Sequence, residues 1–266
     1  EPEPNVPVGE EKPTTPPRLV RLTEKPVAGF TIVVPPPQKA TTAAKTKITV
    51  TASATGTTPA TATMPTIVYP KVRFVERGTG YIYDVDAKAG NFTKVSGTVI
   101  ARAALAFFLN NGADVVVRYI KTDNVTVATF LGKIKPAATP DSFAEVTGSF
   151  LPDGALDVVP NFDATSVLAL MPSGEGSALF SMKADGTSKK QLLASPFSEW
   201  LVEDVKGVTS VTTKAAASIP GYAYIVRAGG SLEKTIGNKL GLTTKLSPNA
   251  ASILYSESIP NGLKLS

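Results

Sequence analysis

From Thr66 onward the hydrophobic positions fall in short β-branched and aliphatic runs closed by turn formers, and they do not hold a 3.6-residue period. This pattern predicts strands over 71–76, 80–84, 92–95, 104–109, 114–120, 125–133, 145–150, 155–159, 167–171, 178–183, 190–193, 199–202, 209–213, 221–227, 232–236, 243–246 and 252–256. Between them sit Asn110-Asn111-Gly112, Pro152-Asp153-Gly154, Asp185-Gly186, Gly229-Gly230 and Pro248-Asn249, residues that tolerate the left-handed backbone of tight turns. The best helical candidate, Thr98 to Leu109, has no capping box. The chain is therefore expected to be all-β.

The turns also recur. Asp185-Gly186 and Gly229-Gly230 lie 229 − 185 = 44 residues apart, and Gly207 precedes Asn249 by 249 − 207 = 42. Asn111 and Asp163 are 163 − 111 = 52 apart, the excess lying in the Pro/Ala loop from Pro136 to Asp141. A period of about 40–50 residues holding four short strands is the signature of a propeller blade.

The residues at these turns resemble the TolB-like β-propeller repeat family. Ala178 to Leu192 (ALFSMKADGTSKKQL) is similar to its strand, Asp-Gly turn and strand, and Leu246 to Tyr255 (LSPNAASILY) resembles its Ser-Pro-Asp-Gly turn followed by an apolar strand. The resemblance spans about residues 71–266 and implies the fold, not an activity; it carries no functional residue across. In this register Lys71–Val95 gives the outer strands of a first blade. Ala101–Phe150 gives a second, Ala155–Leu193 a third, Glu199–Ile236 a fourth and Gly241–Ser266 the inner strands of a fifth. Val167, Leu168, Leu179, Phe180, Tyr224 and Ile253 are expected between blades. The fifth is one strand short, and Arg18–Leu22 (RLVRL) is a candidate to close the ring. An open fragment of a larger propeller is the alternative to a closed five-blade ring, and a β-sandwich is the runner-up architecture.

Four regions follow. Residues 1–17 hold six prolines and almost no large apolar side chain, so this arm cannot bury enough surface to fold alone and reads as extended. Residues 18–34 give two β-like runs broken at Lys25-Pro26, of use for ring closure. Residues 35–66 are a Thr/Ala-rich low-complexity insertion, with a glycosylated stalk as the sharper reading, and 67–266 hold the repeats.

Composition narrows the chemistry. The chain of 266 residues has no cysteine and no histidine, which excludes a thiol nucleophile, a Ser-His-Asp triad, disulfides and Cys/His zinc sites. The net charge of +5 is spread out, so no nucleic-acid partner is expected. No apolar run reaches the length of a membrane span, and Glu1-Pro-Glu-Pro is no signal peptide; a membrane anchor upstream of residue 1 would fit the Pro-rich arm. Low charge and Thr/Ala/Val/Pro richness point to an extracytoplasmic location.

Local motifs read mostly as structure. Asp84-Val85-Asp86 with Gly90 has a calcium-loop start, but Lys88 takes a ligand position and Val95 the place of the bidentate Glu, so a hairpin turn is expected. Gly78-Thr79-Gly80 reads as a turn, since it lacks the third glycine of a dinucleotide fingerprint. Asn91-Phe92-Thr93 and Asn124-Val125-Thr126 are glycosylation sequons in strand-like sequence. Trp200 is expected in the core with its N–H satisfied. No metal, cofactor or catalytic residue is assigned. The expected function is a non-enzymatic interaction or self-assembly module, binding a protein partner or its own copies through the arm and exposed blade edges. The alternative is a carbohydrate-active hydrolase drawing a carboxylate pair from Asp157, Asp163, Glu199, Glu203 and Asp204.

Overall fold

A computed structural model describes residues 21–34, 69–86, 90–139, 141–227 and 231–266. Five antiparallel sheets follow one another along the chain. Sheet 1 holds β1 (Val27–Val33), β2 (Lys71–Glu76), β3 (Ile82–Asp86) and β4 (Phe92–Lys94), and sheet 2 holds β5 (Ala103–Leu109), β6 (Asp114–Ile120), β7 (Val127–Lys135) and β8 (Glu145–Phe150). Sheet 3 contains β9 (Asp157–Pro160), β10 (Ser166–Ser173), β11 (Gly176–Lys183) and β12 (Lys190–Ser195). Sheet 4 contains β13 (Trp200–Val205), β14 (Val208–Thr213), β15 (Gly221–Val226) and β16 (Leu232–Lys239), and sheet 5 only β17 (Thr243–Leu246), β18 (Ile253–Ile259) and β19 (Gly262–Leu265). Every sheet is a meander in chain order. The described residues contain no α-helix, and hence no helix long and apolar enough to cross a membrane.

The turns account for the boundaries. Val205 pairs with Val208 across Lys206 and Gly207, both at positive φ, the two-residue turn whose twist suits a hairpin. Gly78 and Gly80, at φ +89° and +72°, turn the chain between β2 and β3, which delays β3 to Ile82 rather than the expected Gly80. The 98–109 segment is not helical: Ala101 and Arg102 form a turn and β5 follows at Ala103.

The core explains why the apolar runs do not alternate. Within β6, Val115 and Val117 pack on Val75 and Ile82 of sheet 1, while Val116 packs on Val158 and Val167 of sheet 3. Within β10, Val167, Ala169 and Met171 face sheet 2, while Leu168 and Leu170 join Trp200, Val202 and Val211 of sheet 4. A strand buried on both faces needs apolar residues at every position. Phe180 and Tyr224 are half-buried against these seams, whereas Ile253 lines a more open space between sheets 4 and 5.

Five successive sheets replace the two continuous sheets of a sandwich, so that alternative is set aside. Residues 1–17, 18–20 and the 35–66 insertion lie outside the described residues. Arg21 and Leu22 are not in a strand; the Arg21 guanidinium donates to the Thr23 and Glu24 carbonyls at 2.8 and 2.9 Å. The second apolar run of 18–34 is β1, paired with β2. Among the described residues sheet 5 has three strands, and none of them packs broadly on sheet 1.

Candidate interaction surfaces

Charged side chains hold the seams between sheets. Arg73 on β2 makes a two-pronged contact with Asp84 at 2.7 and 2.9 Å and donates a third bond, 2.7 Å, to the Gly112 carbonyl of sheet 2. Arg118 on β6 donates to the Ala155 carbonyl at 2.8 Å and lies 3.7 Å from Asp157. On β13 the consecutive residues Glu203 and Asp204 point to opposite faces. Asp204 accepts the Phe162 N–H, 2.8 Å, from sheet 3, while Glu203 accepts the Leu246 N–H, 2.9 Å, and pairs with Lys245 of sheet 5.

These contacts absorb most of the carboxylates that the sequence offered for hydrolysis. Asp157, Glu203 and Asp204 serve three different seams, Glu199 lies 4.0 Å from Lys214 at the surface, and Asp163 is exposed in a turn. Asp157, Glu203 and Asp204 thus do not converge on one site. Sequence reasoning missed Arg73 and Arg118, although a lone arginine inside an apolar run such as VVVRYI is the signal that could have marked them.

The remaining motifs resolve as follows. Asp84 is buried and committed to Arg73, and Gly90 N–H closes the hairpin onto the Asp86 carbonyl at 2.9 Å. No group of three or more Asp or Glu residues able to hold a metal occurs among the described residues. The Gly229-Gly230 turn lies outside them. Asn91 borders β4, as expected, but Asn124 stands in the β6–β7 turn at φ +61° and accepts from Arg102. In the same turn Asp123 is held down to about 2 by the Thr126 hydroxyl and then by the Val125 and Thr126 N–H groups. Trp200 is buried between Phe197 and Tyr224, its indole N–H donating to the Phe197 carbonyl at 3.2 Å.

The outer faces of the terminal sheets differ from the seams. On β1, Thr31 and Val33 reach toward Gly112 of sheet 2, so Phe30, Ile32 and Val34 point the other way, and Phe30 is 68% exposed. Phe92 of β4 is exposed on this same face, beside Phe74 and Tyr83. Only residues 21–26 lie against it among the described residues, tied by a 2.6 Å Lys25–Glu76 ion pair and the Arg77 N–H to Pro26 carbonyl bond. Burial works to raise the Glu76 pKa, but the Lys25 and Thr79 hydrogen bonds and the Lys25 charge outweigh it and hold the carboxyl below its usual range. On sheet 5, Ile253 and Tyr255 turn toward sheet 4, leaving Leu254, Leu263 and Leu265 outward, the last two 72% and 70% exposed. Among the described residues its edge strand β19 pairs only with β18. Monomers rarely leave clusters of exposed apolar side chains beside an open strand edge uncovered.

No protein-family model and no curated protein matches the chain. Among solved structures, Porphyromonas gingivalis dipeptidyl peptidase 4 superposes with a TM-score of 0.49 at 13% identity, over 76% of this chain and 30% of its own. A chain designated dipeptidyl aminopeptidase IV from Bacteroides ovatus ATCC 8483 gives 0.43 at 12% identity, over 73% and 32%. The chain thus spans about a third of the length of these proteins. Its own geometry shows, among the described residues, an all-β, propeller-like series of five antiparallel sheets with exposed apolar side chains on the outer faces of the first and last.

Proposed function

We propose that the chain is a non-enzymatic, extracytoplasmic β-propeller of TolB-like repeats that serves as a protein-interaction or self-assembly module. The observation that carries this reading is the set of exposed apolar side chains on the outer faces of the two end sheets, Phe30, Ile32 and Phe92 on sheet 1 and Leu254, Leu263 and Leu265 on sheet 5. Each interior seam joins one face of a sheet to the opposite face of the next, and the two unpartnered faces are the same two kinds. Sheet 5 of one copy therefore offers sheet 1 of another the type of contact that recurs inside the chain, a heterologous arrangement that builds extended assemblies.

Light scattering across a concentration series tests it. The wild-type chain is expected to associate, and Phe30→Lys with Ile32→Lys, or Leu263→Lys with Leu265→Lys, is expected to leave monomers with unchanged melting. A chain that stays monomeric, with no partner contact affected by either pair, would overturn the proposal. Of the carboxylates named for the hydrolase alternative, Asp157, Glu203 and Asp204 are engaged at three separate seams.

A further inference from the structure

Where the sheet 2 face that meets sheet 1 runs on past the seam, a groove of about 630 Å³ opens between this face and the connection Thr98–Arg102. Its aromatic members are Tyr119, Phe130 and Phe150. The Phe150 ring centre lies 5.1 Å from that of Phe130 and 6.3 Å from that of Tyr119, and Phe150 is 62% exposed. Gly132 and Gly148 are register partners on the same face. A Cβ at Gly148 would fall 1.9 Å from the Leu131 carbonyl oxygen, so this part of the floor stays bare. Val99 and Ile120 add exposed apolar surface at the rim. At the mouth Arg102 is held at φ +63°, a conformation a side-chain-bearing residue adopts at a cost. One of its guanidinium nitrogens donates to the Lys121 carbonyl and the Asn124 side chain at 2.8 and 2.7 Å; the other two make no hydrogen bond among the described residues.

An aromatic trough with one cationic fork at its mouth suits an extended ligand that presents few N–H groups, lays rings and methylenes on the aromatics, and carries carboxylates. Residues 1–17 of this chain have that chemistry: six prolines, four glutamates and one lysine. The described segment they lead into, Thr23 to Lys25, lies on the face of sheet 1 turned away from sheet 2. We propose that this groove takes the Pro-rich, acidic segment 1–17 of a second copy. The inference rests on the self-assembly reading but uses a surface apart from the terminal faces.

A labelled peptide of residues 1–17 is titrated into the full chain and followed by fluorescence anisotropy, with light scattering in parallel. Saturable binding is expected, weakened at least about tenfold by Phe150→Ser and by Arg102→Glu with melting unchanged, and an excess of unlabelled peptide should shift copies toward monomer. A variant that fails to fold is replaced by a peptide with every proline changed to alanine, which is expected to bind at least about tenfold more weakly. The proposal is overturned by no binding, by binding indifferent to these changes, or by a chain that binds the peptide yet is monomeric at every concentration. Loss of peptide binding while the terminal-face variants still abolish association would refute this groove and leave the assembly reading standing.

Discussion

Changing Arg73 to methionine tests whether the seam between sheets 1 and 2 depends on its charged clamp. The side chain is 16% exposed and its partner Asp84 11%, so removing the guanidinium strands a largely buried carboxylate and the Gly112 carbonyl together. Breaking one partner of a buried pair costs about 3–5 kcal/mol, and the remaining exposure places this case near 3 kcal/mol. At about 2–4 °C per kcal/mol for a chain of this size, the melting temperature should fall by about 6–12 °C. Urea unfolding followed by far-ultraviolet circular dichroism measures the loss, while the fluorescence of Trp200, the single tryptophan, reports separately on the seam between sheets 3 and 4. Arg73→Met with Asp84→Leu should recover to within about 1 kcal/mol of wild type, because no stranded charge remains. A loss below about 1 kcal/mol in the single variant, or a double variant no better than it, would refute the reasoning.

Gly29→Ala would place a Cβ 1.7 Å from the Ala106 carbonyl oxygen, forcing β1 off β5; a destabilisation of about 1–3 kcal/mol or more is expected in urea unfolding. Thr129→Val should be neutral or stabilising by up to about 1 kcal/mol, since the buried Thr129 hydroxyl has no partner among the described residues. Asp123 is depressed from 3.8 to about 2, so its contribution is full above pH 4 and lost as pH falls through 2; an NMR titration of the Val125 and Thr126 amides should show that midpoint, and Asp123→Asn should remove it. Glu76 behaves in the same direction, its stabilisation present above pH 4.5 and fading below, and Glu76→Gln should flatten the stability profile in that range.

The sheets were legible because each is made from strands adjacent in sequence. The ranges 101–150, 155–193 and 199–236 expected from the turn interval match sheets 2, 3 and 4 to within a few residues. Strand β1 is legible as a β-like run but not as a member of the first sheet, since its partner β2 lies beyond the low-complexity insertion and no local spacing connects Val33 to Lys71. The seams were hidden for a related reason. Arg118 is defined by Ala155 and Asp157, and Glu203 by Leu246 and Lys245, partners that meet only when neighbouring sheets stack. The groove likewise depends on how far β7 and β8 extend past sheet 1, a length difference that hydrophobic pattern does not encode.

The pairing of β1 with β2 also bears on the order in which the protein forms. Ile120 and Val127 close a hairpin over the six residues 121–126, whereas Val33 and Lys71 are joined by the 37 residues from 34 to 70. On a logarithmic dependence of closure entropy on loop length, that difference costs about 1.6 kcal/mol before any contact compensates. Strand β1, made before the other described strands, is thus among the last to dock, and until it does, the open edge of β2 and the Ala106 side of sheet 2 stay uncovered. Misassembly during synthesis is expected to begin there, and a chaperone or a neighbouring nascent chain would meet that edge first.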